Sequence, residues 1–69
     1  MDKRSIVEKM VGIAEQYNME AMQGAGMQLP DMMNTAATVR PQLYKIQGDI
    51  LDTLINEGIL TINEGYDND

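Results

Sequence analysis

A chain of 69 residues with neither a cysteine nor a histidine has no disulfide and no thiolate or imidazole zinc site with which to hold a small core together. At 7.7 kDa it is one domain or less, and a core of that size leaves only about 3–5 kcal/mol once conformational entropy is subtracted. Unstapled chains this short rely on closely packed helices or on association with another chain. Association is the expectation here.

The spacing of apolar residues predicts helices. Ser5-Ile6-Val7-Glu8 has the form of a capping box, in which the Ser5 hydroxyl accepts from an amide three residues on and Glu8 reaches back. Ile6, Met10, Ile13, Tyr17 and Ala21 then recur every three or four residues. Val7, Val11, Ala14 and Met22 widen them into a broad apolar stripe, with Lys9, Glu15, Gln16, Glu20 and Gln23 on the other face. Met10 and Met22 are expected to fill the core. Gly12 has two readings, a point of close approach for a second helix or a tolerated surface glycine. Gly24-Ala25-Gly26 is expected to end the helix, because glycine adopts the left-handed backbone common just past a helix terminus.

After a loop through Gln28-Leu29-Pro30, Asp31 is placed to cap a short helix over about 32 to 38, closed off by Pro41. A last helix is predicted from about Pro41 to Glu57, with Leu43, Ile46, Ile50, Leu51, Leu54 and Ile55 on one side. Residues 31 to 57 also fit a single helix kinked at Pro41. Gly58 with Ile59 has the form of a Schellman stop, and the β-branched run Ile59-Leu60-Thr61-Ile62 suggests a short extended segment. The expected fold is all-α: a helical hairpin of two long amphipathic helices with a short connecting helix and a short extended C-terminal tail. It forms one domain over 1–62, followed by a flexible acidic tail over 63–69.

Eleven carboxylates against five Lys and Arg give a net charge of −6, which repels phosphate backbones and anionic headgroups, so neither direct nucleic-acid nor membrane binding is expected. The run from Gln42 to Ile62 resembles the passage from recognition helix into wing of winged-helix regulators, but it sets Lys45 alone against Asp49, Asp52 and Glu57, the wrong charge for reading DNA. No stretch approaches the roughly 20 apolar residues of a membrane span, and the N-terminal pattern is amphipathic rather than that of a signal peptide. The expected location is cytoplasmic, in the producing or host cell. No nucleophile stands near a base, no Gly-rich phosphate loop occurs, and Asp49 and Asp52 read as a solvated acidic face. No enzyme, cofactor or metal is expected.

What remains is binding. A bare hairpin covers only part of each stripe, and methionine suits adaptable surfaces, so Met27, Leu29, Met32, Met33, Ile59 and Leu60 are the expected protein interface. Arg40, Tyr44 and Lys45, at the expected start of the last helix, are a candidate anion site. The favoured reading is a non-enzymatic protein–protein interaction module, self-associating or docking on another protein. It would serve as an assembly subunit, adaptor or inhibitor of the kind phages and mobile elements encode. Two others stay open. In one, Glu8, Glu15, Glu20, Asp49, Asp52, Glu57 and the tail imitate nucleic acid as an acidic decoy. In the other, an oligomer sequesters an anionic nucleotide through Arg40, Tyr44 and Lys45.

Overall fold

The computed structural model describes residues 2–62; Met1 and the acidic segment 63–69, expected as a flexible tail, lie outside the described residues. Two helices, α1 (Lys3–Gly24) and α2 (Leu29–Asn56), pack against each other as a hairpin, with no strand among the described residues. The Cα radius of gyration is 14.7 Å, against about 11 Å for a compact globule of this length. The hairpin is therefore a rod.

Helix α1 begins earlier than the Ser5 capping box predicts. Asp2 is its N-cap, in extended backbone (φ −88°, ψ 172°), and the Asp2 carboxylate accepts from the Ser5 amide at 2.8 Å. A carboxylate three residues upstream takes the amide first, so Ser5 lies inside the helix; such caps contribute about 1 kcal/mol. At the other end Gly26 has φ 79°. The Met27 amide donates to the Met22 carbonyl at 3.1 Å and the Gly26 amide to that of Gln23 at 3.0 Å, the paired bonds of a Schellman stop. Gly58, at φ 76°, repeats the device at the end of α2, where Ile59 donates to Leu54 at 2.9 Å and Gly58 to Ile55 at 3.1 Å. The β-branched run beyond it is irregular, and Ile62 lies against the core.

The connecting helix expected over 32 to 38 is not a separate element. It is the first part of one continuous α2, which starts with Pro30 in its first turn, has Asp31 inside that turn instead of capping it, and carries Pro41 in its interior. Gln28 is the N-cap and makes no side-chain capping bond. A proline removes one backbone donor and crowds the carbonyl four residues back. Ala37 and Pro41 are both exposed, so the carbonyl left without its helical partner is open to water, and packing against α1 carries the helix through.

Val7, Val11 and Leu51 form the core, with Ile6, Met10, Leu43, Tyr44, Ile55 and Ile62 half-buried around them. Met22 and Met32 are buried nearer the turn. Two ion pairs cross between the helices, Lys3 with Asp52 at the open end and Arg40 with Glu15 at 3.2 Å midway. No heavy atom beyond its own helix lies within 4 Å of where a Cβ on Gly12 would stand. Of its two readings, the surface glycine holds.

Candidate interaction surface

Consecutive helical residues are about 100° apart, so a residue two positions from another points to roughly the opposite side. The Glu15–Arg40 pair marks one flank of the hairpin, and Tyr44, one turn on from Arg40, lies on that same flank. Two positions either side of Glu15 are Ile13 and Tyr17; two beyond Tyr44 is Ile46, and a turn further Ile50. These four therefore share the other flank. They are 58%, 68%, 49% and 45% exposed, where core residues would be near zero. Ile6 and Met10 continue the same row on α1 and are half-buried.

This side was legible as apolar, and a bare hairpin is expected to leave part of each stripe uncovered, but the sequence does not say which part. Ile13, Tyr17, Ile46 and Ile50 belong to those stripes, and the structure turns Val7, Val11 and Leu51 inward and leaves these four out. The usable signal was width. From Met22 round to Ile13 the α1 stripe spans about half the helix circumference, more than the roughly 100° that faces a core in an ordinary amphipathic helix.

The residues expected at the interface divide. Leu29 and Met33, beside the turn, and Ile59 and Leu60, at the open end, are exposed; Met27 is half-buried; Met32 is buried within the hairpin and takes no part in the exposed set. The expected anion group is brought together only in part. Arg40 donates to both Glu15 oxygens, at 3.2 and 3.4 Å, and to the Tyr44 hydroxyl at 3.5 Å, with its guanidinium 5.6 Å from the Tyr44 ring centre. That hydroxyl and the Glu15 carboxylate raise the Arg40 pKa above its ordinary value. Lys45 instead pairs with Asp49 at 3.7 Å. Because α2 is continuous, it has no N-terminus at Arg40, and the free α2 amides expected to hold an anion there are absent.

Neither helix is long and apolar enough to cross a membrane. Among the described residues no group of three or more Asp or Glu is arranged to hold a metal ion. No family model, curated protein or solved structure matches the chain. Function must be argued from the surface itself.

Proposed function

We propose that this chain is a non-enzymatic protein–protein interaction module, acting inside the producing or host cell as an assembly subunit, adaptor or inhibitor. Its working surface is the uncovered apolar side of the hairpin; Leu29 and Met33, three and two turns before Arg40 on its face of α2, are exposed on the other flank, and Ile59 and Leu60 are exposed at the open end. The observation that carries the reading is the row of large apolar side chains, Ile13 and Tyr17 on α1 with Ile46 and Ile50 on α2, left exposed on one flank. Contiguous apolar surface of this kind marks sites of protein association. The other two readings have less to draw on. Four carboxylates that an acidic decoy would present, Glu8, Glu15, Asp49 and Asp52, are engaged by Arg4, Arg40, Lys45 and Lys3. An anionic nucleotide at Arg40 and Lys45 would compete with Glu15 and Asp49 for the same cations.

A photo-crosslinking amino acid placed at Tyr17, and separately at Glu8 on the other side of α1, tests the reading in producing cells. Position 17 is expected to yield a discrete protein adduct on irradiation and position 8 none. An absence of adducts at position 17 would sink the proposal.

A further inference from the structure

We propose that the turn half of the hairpin is a methionine modification site, in which a peroxide converts Met22 and Met32 to sulfoxides and loosens that half. The site is separate from the apolar flank that carries the interaction reading and does not depend on it. Two observations carry the proposal. The first is what this half is made of. Five of the seven methionines, Met19, Met22, Met27, Met32 and Met33, fall between residues 19 and 33. Met22 and Met32, each 6% exposed, are the buried side chains there, with Met19 and Met27 half-buried and Met33 60% exposed. The buried cluster of the other half, Val7, Val11 and Leu51, contains no sulfur, and Met10 lies half-buried at its edge. In a chain without cysteine, methionine sulfur is the atom a peroxide oxidises first.

The second observation is how this half is closed. The Met27 amide donates to the Met22 carbonyl in the stop of α1, and these are the two positions whose side chains frequently meet in such a stop. Helix α2 starts on Gln28 with no side-chain capping bond, and residues 24–26 and 28–31 are exposed. A segment with so few buried contacts opens locally more readily than the core, and opening brings a dissolved oxidant to sulfurs that the closed hairpin covers. The peroxide then transfers one oxygen to the thioether: an S–O bond forms, the O–O bond breaks and water leaves, with sulfur oxidised by two electrons and the peroxide reduced. The new oxygen is a polar acceptor, costly to bury without a donor, and among the described residues no polar or charged side chain is buried. A sulfoxide at Met22 or Met32 therefore favours the open form. Met33, already in water, takes up an oxygen without that consequence.

Hydrogen–deuterium exchange of the purified full chain, before and after graded treatment with hydrogen peroxide, tests the proposal when each sulfoxide is located by peptide mass mapping. Met33 is expected to convert first with exchange unchanged. Conversion of Met22 and Met32 is then expected to speed exchange of the amides between residues 19 and 36 about tenfold or more, and methionine sulfoxide reductases acting on both epimers should restore the slow rate. Met22→Leu combined with Met32→Leu, a swap close in volume, keeps the other methionines and should hold its slow exchange through the same treatment. Sulfoxides at positions 22 and 32 without faster exchange would overturn the proposal. So would Met22 and Met32 still reduced after Met33 is fully converted, or exchange that stays fast once both sulfoxides are reduced. A folded leucine variant that loosens as much as the original chain would place the effect on other methionines and remove the assignment; should that variant not fold, the three outcomes in the original chain decide.

Discussion

Leu51→Ala is expected to cost about 2–5 kcal/mol of folding stability, the usual price of emptying a well-packed leucine site. Leu51 is 1% exposed and, with Val11, one of the two largest side chains fully enclosed. It holds the α2 side of the cluster against Val7 and Val11. A domain of this size has only about 3–5 kcal/mol in hand, so the variant should lose most of its helical circular-dichroism signal at 25 °C or unfold at the lowest urea concentrations. Ile46→Ala, at a side chain half exposed in the single hairpin, serves as the contrast and should leave the isolated fold nearly intact. A Leu51→Ala protein within about 0.5 kcal/mol of the original, the scatter expected of surface changes, would mean that the two helices do not close on this cluster.

The second large effect runs the other way. Pro41 sits inside α2, exposed and making no core contact, where proline is about 3 kcal/mol less favourable than alanine. Pro41→Ala restores an amide that can donate to the Ala37 carbonyl and relieves the crowding of that turn. A gain of about 2–3 kcal/mol is expected, which for a chain this short corresponds to a melting temperature higher by roughly 10 °C or more. Thermal unfolding followed by circular dichroism reads both the gain and any added helicity. A variant no more stable and no more helical would indicate a backbone already broken at Pro41, with two helices where the structure has one.

The particular residues explain why some of this could be read from the sequence and some could not. Gly26 and Gly58 announced both helix stops, because few residues other than glycine accept a positive φ just past a helix. The start of α1 was misread because Ser5 and Glu8 match a capping box as well as Asp2 matches a plain cap, and spacing alone does not say which oxygen reaches the amide first. Pro41 looked like a boundary because its local cost is large. The apolar row from Met32 through Val39 and Leu43 to Leu51 runs across it, however, and tertiary packing outweighed the local preference. The working side was hidden for a related reason. Periodicity finds a stripe, but when the stripe is wider than one neighbouring helix can cover it does not say which half turns inward. Val7 and Val11 turned in; Ile13 and Tyr17 stayed out.

Tyr17 offers the most direct measurement of whether that outward half is a protein-binding surface. In the single hairpin it is 68% exposed, while Tyr44, beside Arg40 on the other flank, is half-buried, so the reactivity of two identical rings can be compared in one sample. Hydroxyl-radical footprinting of the dilute purified chain should modify Tyr17 faster than Tyr44. In extracts of producing cells, where the partner is present, the order should reverse, with Tyr17 protected and Tyr44 unchanged. Tyr17 reacting in the extract as fast as in the dilute chain would contradict the account, because the apolar side would then be open to water under the conditions in which it should be covered.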